Sequence, residues 1–282
     1  MTSPPCVSAI ILNTTKHAQT LAAVNSLLEQ EGNFSLEIIV ADNSLSVSKD
    51  YARERKALQS ALCEKKNVHL LFLEKNGYSY GNNRGAEKAN GEVLFIMNPD
   101  ISLPQKNALQ MMIDFLEKNP DVAILAPKQK NPDGSTEKNV RRFPTLLGQC
   151  ARRISLLRNI FPFSSLVRAY EYVDIDENVT QPIDWAQSSF WAVHGDFWKE
   201  MGGFDERYFI FMADVDLCQK AWKSGKKVVY FPQVQVLADG IRCSSGGVFH
   251  IFTKKILRIH LKDALTYHRK RVREERQDKS EK

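Results

Sequence analysis

Short apolar runs alternate with amphipathic stretches along the first half of the chain. Val7–Leu12, Leu36–Ala41, Val68–Leu73, Val93–Met97 and Val122–Ala126 each have the length and character of a strand buried on both faces. Between them, Leu21, Val24, Leu27 and Leu28 recur at helical spacing. So do Leu109, Met112, Ile113 and Leu116. An Ala-, Lys- and Glu-rich stretch over roughly Ser48–Glu64 predicts another helix, and two glycines and two asparagines lead into a short one containing Ala86 and Ala89. The order β-α-β-α-β-α-β with short connections predicts a Rossmann-like, mostly parallel central sheet with helices on both faces, an α/β fold.

The pattern then loosens. Asn131-Pro132-Asp133-Gly134 is a strong turn signal, so a hairpin is expected over roughly Pro127–Arg142. Residues 145–182 carry Arg152, Arg153, Arg158, Arg168 and the acidic segment Asp174–Glu177, and read as a helix and a long loop. Ile183–His194 reads as a strand and Asp196–Met201 as a short helix. A helix with Val215, Cys218, Ala221 and Trp222 inward precedes two short strands, Val228–Phe231 and Val234–Leu237, separated by Pro232. From Val248 a helix is expected to about Arg273, with Phe249, Phe252, Ile256, Ile259 and Leu265 opposite a basic face.

Composition narrows the class only a little. Of 282 residues, 43% are hydrophobic and 26% charged, which is ordinary for a soluble domain. No run approaches the ~18 apolar residues of a membrane span. MTSPPCVSAIILN lacks a basic n-region and reads as a strand, not a signal peptide. Five scattered cysteines argue against a disulfide framework or a zinc site and fit a reducing cytoplasm. The formal charge of +6 is concentrated in the last thirty residues. A basic end can meet an anionic membrane, nucleic acid or an anionic substrate, and a solvated helix with a frayed tail is the plain alternative.

Chemistry gathers where apolar runs end. Val93–Met97 stops at Asn98-Pro99-Asp100, which delivers a carboxylate just beyond a buried strand, where open α/β sheets bind ligands. Asp42 follows the second strand in the same way. With Asp214 they are expected on one side of the sheet, in one cleft. GxGxxG is missing after the first strand, as are GxxxxGK[ST] and GxSxG, so dinucleotide, P-loop and serine-hydrolase readings fail. The six histidines are dispersed.

Taken together, VSAIILNTT, EIIVADNS, NGYSYGNNRGA, GEVLFIMNPDI, DWAQSSFWAVH and MGGFDERYFIFMADVDLCQKAWKSGKKVVYFP resemble a family 2 glycosyltransferase of GT-A fold, in its bacterial rhamnosyltransferase-like branch. The resemblance spans about residues 7–240 and implies a transferase domain over 1–240. Its donor half would be 1–127 and its acceptor and catalytic half 128–240, with 241–282 a basic amphipathic extension. It implies that Asn13, Thr14, Asp42, Asn82, Asn83, Arg84, Asn98 and Asp100 line the nucleotide sugar. Asp100 would hold Mg2+ or Mn2+ on the diphosphate. Asp184 and Trp185 would lie on the acceptor or sugar side. Asp214 would be the general base that deprotonates an acceptor hydroxyl for inverting attack. Asp216 would cap its helix, and the turn Gly202–Glu206 would buttress the base.

Four positions depart from the family pattern. Ala213 stands where a glutamate usually precedes the base, and Ala238 where a histidine often supports the metal. Ser188 replaces a glycine, and His194 an arginine. Asp239, one residue past Ala238, is the candidate substitute. The resemblance implies a cytoplasmic enzyme, peripheral on the inner membrane face, that moves a sugar such as rhamnose from dTDP-rhamnose to a saccharide or lipid-linked acceptor of a surface polysaccharide. The departures motivate a rival: an inactive relative that binds a nucleotide sugar or glycan. A nucleotidyltransferase lacks its Gly-rich basic loop here, and nucleic-acid binding lacks aromatic interleaving with the basic residues.

Overall fold

A computed structural model describes residues 4–153, 162–171, 175–240 and 255–280. Strand β1 (Cys6–Asn13), helix α1 (His17–Leu28), β2 (Ser35–Asp42), α2 (Ala52–Leu62), β3 (Val68–Phe72), α3 (Tyr78–Ala86) and β4 (Val93–Met97) follow in the expected order. The strands align parallel as β3-β2-β1-β4. All five residues of β4 are buried, each aliphatic or aromatic side chain contributing about 1.5–3 kcal/mol. Such a strand tolerates no polar residue until it ends, which is why Asn98 and Asp100 come immediately after it.

The glycines before Ala86 lie inside α3, not ahead of it. Gly77, at φ 138°, starts the helix with a backbone that L side chains rarely adopt. A Cβ on Gly81 or Gly85 would run into Leu12 or Ile10, so the two glycines let α3 lie close on β1. Helix α2 is shorter than expected, because Ser44–Ser46 and Lys49–Tyr51 form 3₁₀ turns first.

Next come β5 (Ile101–Ser102), α4 (Ala108–Lys118), β6 (Val122–Lys130), β7 (Thr136–Glu137) and β8 (Val140–Arg141). The expected hairpin is present, with β7 antiparallel to β6. The described residues of 145–182 hold the short helices α5 (Leu146–Arg153) and α6 (Phe163–Tyr170), and the strand β9 (Gln181–Pro182). Arg158 and Asp174 lie outside the described residues, as do Val248, Phe249 and Phe252. The expected strand Ile183–His194 is two: β10 (Trp185–Ala186) pairs with β8 in a separate ribbon, and β11 (Phe190–His194) enters the main sheet antiparallel between β4 and β6. Phe190, Trp191 and Trp198 are core residues.

Helices α7 (Gly195–Met201) and α8 (Ala213–Lys223) precede β12 (Lys227–Ala238). β12 is one strand, not two. A register shift between Phe231 and Gln235 leaves Pro232 out of the ladder to β6 while the strand continues. Trp222 is 37% exposed rather than inward, because its Nε1 reaches out to the carbonyls of Ile183 and Asp184.

The last helix, α9 (Lys255–Ser280), is rotated from the expected phase. Leu257, Ala264 and Tyr267 face the core, and Leu265 faces out. A polar residue sets that phase. Asp263 is fully buried and accepts from the main-chain N–H groups of Phe209, Ile210 and Phe211 at 3.2, 3.1 and 2.9 Å. Lys270 bonds Asp216 at 2.6 Å, and Lys223 meets Glu274. The helix is therefore bound to α8 and to the loop before it.

Candidate active site

The carboxyl ends of β1, β2 and β4 open onto one edge of the sheet, and their polar residues meet there. Asp42 is fully buried with many internal partners. Asn13 Nδ2 donates to it at 2.6 Å and Ser44 Oγ at 2.6 Å, while Arg55 Nε stands at 3.5 Å and His17 Nε2 at 3.6 Å. Asn13 Oδ1 accepts from the main chain of Lys16 and so also tethers the start of α1. Thr14, half-buried at the rim, follows Asn13. Around this cluster the buried atoms Asn43 Oδ1 and His17 Nε2 have no hydrogen-bond partner, which leaves polar groups available to a ligand.

The three polar residues of α3 divide. Asn82 donates to Tyr78 O, and its buried Oδ1 has no partner. Asn83 instead grips the turn before α8: its Nδ2 donates to Phe204 O and its Oδ1 accepts from Phe204 N, at 2.8 and 2.9 Å. Arg84 pairs with Glu206 and Glu87. Asn82 thus keeps a buried acceptor for a ligand, whereas Asn83 and Arg84 connect α3 to the turn at Phe204 and Glu206.

Asn98 is half-buried, and its main-chain N–H donates to Ser189 O at 2.8 Å. Asp100 meets a cation that the sequence did not suggest. Lys16 Nζ lies 2.8 Å from Asp100 Oδ2 and 3.2 Å from Asp239 Oδ2. Burial works against the ammonium, but the bonds to Asp100 and Asp239 outweigh it and its pKa lies above the ordinary lysine value. The pairing of β12 with β5 explains the convergence: Ala238 opposes Ile101, so the next residues outward, Asp239 and Asp100, come together.

Across the cleft, Asp214 sits in the first turn of α8. Its neighbour Met212 holds φ 69°, the only positive φ of a non-glycine among the described residues. Such backbones persist only where surrounding contacts enforce them. Here Asp263 grips residues 209–211, and Tyr78 N donates to Phe209 O at 2.7 Å. Desolvation pushes the Asp214 carboxyl up to about 6, against hydrogen bonds from the main chain of Val215 and Ser188 and the charge of Arg141. Arg141 comes from the β8–β10 ribbon. Asp184 and Trp185 anchor that ribbon, accepting from Phe143 N and donating to Arg142 O respectively, both at 2.8 Å.

Tyr78 stands between the two sides. Its hydroxyl donates to Ser188 O at 2.8 Å. Burial raises its pKa, Ser188 opposes this, and the charges of both Asp214 and Asp100 raise it further. Tyr78 thus lies within electrostatic reach of both carboxylates. Sequence reasoning missed Tyr78, Lys16 and Asp263. Tyr78 had a local signal in the NGYSYGNNRGA stretch, whereas the other two depend on contacts far along the chain.

A β3-β2-β1-β4 parallel sheet with an antiparallel β11 beside it thus presents acidic residues past β4 and in α8. Residues 8–173 match the model of glycosyl transferase family 2. The chain belongs to that family. Its fold is GT-A. Over 192 residues this family 2 chain is 29% identical to the Mycobacterium tuberculosis N-acetylglucosaminyl-diphospho-decaprenol L-rhamnosyltransferase, covering 64% of the chain and 61% of that enzyme's length. Over 247 residues it is 24% identical to the rhamnosyltransferase WbbL of Escherichia coli, covering 84% and 83%. Among solved structures, GalNAc-T7 with UDP, GalNAc and Mn2+ superposes with a TM-score of 0.61 at 16% identity, over 84% of this chain and 44% of that one. The mannosyltransferase PcManGT of Pyrobaculum calidifontis, solved with GDP-Man and Mn2+, gives 0.57 at 17%, over 86% and 59%. Asp214 and Asp239 lie beyond the matched residues 8–173, so their placement rests on the fold.

Proposed function

We propose that the chain is an inverting glycosyltransferase that moves a sugar from a nucleoside-diphosphate donor to a saccharide or lipid-linked acceptor. Residues 1–127 bind the donor and 128–240 the acceptor. Asn13, Thr14, Asp42, Asn82 and Asn98 line the nucleotide side, with Asn83 and Arg84 joining it to the 204–206 turn. Asp184 and Trp185 shape the acceptor side through the β8–β10 ribbon. Asp214 is the general base. The observation that carries the reading is its carboxyl, pushed up to about 6 in a cleft shared with Asp100. Such a base is ionised at neutral pH yet takes a proton more readily than an ordinary carboxylate. It removes the acceptor hydroxyl proton as that oxygen attacks the anomeric carbon and the nucleoside diphosphate leaves.

A divalent ion belongs to this reading. Two relatives in fold were solved with Mn2+. Among the described residues no group of three or more His, Cys, Asp or Glu converges. Asp100 and Asp239 do converge on one cationic nitrogen, which stands in for a metal. Two carboxylates, with the rest of the shell left to phosphate and water, are a donor set that suits Mg2+ or Mn2+. When bound, the ion neutralises charge on the leaving diphosphate.

The relatives' names support rhamnose as the sugar, and one of them a diphosphoprenol-linked saccharide as the acceptor; on this reading the donor is dTDP-rhamnose and the reaction serves surface polysaccharide synthesis, in the cytoplasm at the inner membrane face. No helix among the described residues is long and apolar enough to cross a membrane. The outer face of α9 supports a peripheral contact. Leu261, Leu265 and Val272 are 46%, 39% and 47% exposed among Arg258, Lys262, Arg269 and Arg273, a composition suited to an anionic lipid surface. Co-sedimentation with anionic but not neutral vesicles, lost on charge reversal of Arg269 and Arg273, is the expected result. The function itself is tested by incubating the protein with UDP-, GDP- and dTDP-sugars, Mn2+ and a lipid-linked saccharide. Acceptor-dependent release of nucleoside diphosphate from one donor is expected. Donor binding without release would favour the inactive relative.

A further inference from the structure

The contact between Lys16, Asp100 and Asp239 joins three elements distant in sequence. Lys16 precedes α1, Asp100 follows β4 and Asp239 follows β12. None of the three is deeply buried. The side chains of Asp100 and Asp239 are each 18% exposed, and that of Lys16 is 33% exposed. Ions and water therefore reach the contact.

Two carboxylates stand together beside the place where a diphosphate would arrive. A second −1 or −2 group is repelled by such a cluster unless positive charge is added. A divalent ion on the two carboxylates would neutralise them and release the ammonium. Lysine suits that exchange, being a compact charge on a flexible four-carbon stem. Asp239 would not be left loose, because Gln19 Nε2 also donates to its Oδ2, at 3.1 Å. Ala238 offers no side-chain ligand, so the second carboxylate of the site is Asp239.

We propose that Asp100 and Asp239 form a cation seat, that Lys16 occupies it in the ligand-free protein, and that a divalent metal ion displaces Lys16. The released ammonium then turns to the donor diphosphate. Lys16 thus keeps two like charges together before the donor binds, and couples metal entry to phosphate binding. The inference rests on the reading of this cleft as a nucleotide-sugar site. Its central claim, competition between Lys16 and a metal, requires neither donor nor turnover.

The test is Mn2+ binding to nucleotide-free protein, followed by the loss of the free-ion electron paramagnetic resonance signal. Lys16→Met should bind Mn2+ about tenfold more tightly than wild type, since the competing ammonium is gone. Lys16→Arg, which keeps the charge, should stay near wild type. Asp239→Asn, alone or added to Lys16→Met, should abolish the tighter binding. Thermal melting of each variant checks that it is folded. Unchanged or weaker Mn2+ binding in a folded Lys16→Met protein overturns the competition. Tight binding that survives Asp239→Asn overturns the seat. Isothermal titration with dTDP and Mn2+ should show Lys16→Met weakening nucleotide binding about tenfold, with thymidine unaffected. Equal binding of dTDP by both proteins overturns the second role. If no nucleotide sugar is turned over but Mn2+ behaves as stated, the glycosyltransferase reading fails and the cation seat stands.

Discussion

The two ends of the cleft present the same functional group in opposite surroundings. At the donor end Asp100 is partly exposed and paired with an ammonium that also meets Asp239. At the acceptor end Asp214 is half-buried as well, but it has no such ammonium beside it and loss of water pushes its carboxyl up to about 6. A carboxylate beside a cation holds positive charge in place. A desolvated carboxylate gains proton affinity. On the proposed function, these surroundings suit one aspartate to electrostatics and the other to proton transfer, a division expected wherever two carboxylates serve one reaction. The supporting structure differs as well. The donor end is built from strand ends of the parallel sheet, whereas the acceptor end is held by a loop that Asp263 clamps from α9.

The sharpest way to break this comparison is to remove the proton acceptor. Asp214→Asn should lower turnover by about 10³-fold, in the range of a lost general base, and leave nucleotide affinity within about threefold. The two are separated by single-turnover kinetics and nucleotide titration. A comparable loss of nucleotide affinity would place Asp214 at the donor end instead.

The clamp comes next in size. Asp263→Ala leaves three buried N–H groups without their carboxylate and should cost about 3 kcal/mol in urea unfolding. Turnover should fall about tenfold through kcat, with donor KM nearly unchanged, since the loop holds the base and not the nucleotide. Asp263→Asn, which can still accept part of the set, should recover some of both. A change confined to donor KM would show that the clamp serves the other end.

How much of this was legible in the sequence follows from the range of each contact. The parallel sheet was legible because strands buried on both faces leave continuous apolar runs, and Asp42 and Asp100 stood out because a carboxylate at the end of such a run needs polar partners. Pro232 misled, since a proline normally ends a central strand, and only the register against β6 reveals the bulge that accommodates it. The phase of α9 misled for a related reason. Apolar periodicity assumes that buried means apolar, and Asp263 is buried because it binds a loop more than fifty residues earlier. Lys16 carries no local signal at all: its partners lie 84 and 223 residues away.

The smallest expected effect runs opposite to the first. The Asp214 carboxyl titrates at about 6 in the fold, against an ordinary value of 3.8. A folded-state pKa above the unfolded one means that folding favours the protonated form. That contribution is full below pH 3.8 and is lost as pH rises through 6, so at neutral pH the ionised carboxylate opposes folding. Asp214→Asn removes the charge and keeps an oxygen for the Val215 N–H. It should therefore stabilise the protein at pH 7.5 by about 1–3 kcal/mol, and the gain should vanish near pH 4. The activity limb must move in step: in the wild type, kcat/KM should fall as pH drops below about 6, where the base becomes protonated. Denaturant melts of both proteins at the two pH values decide the matter. Equal stability at pH 7.5 would mean that Asp214 is as well solvated as Asp100, and the contrast between the two ends of the cleft would be gone.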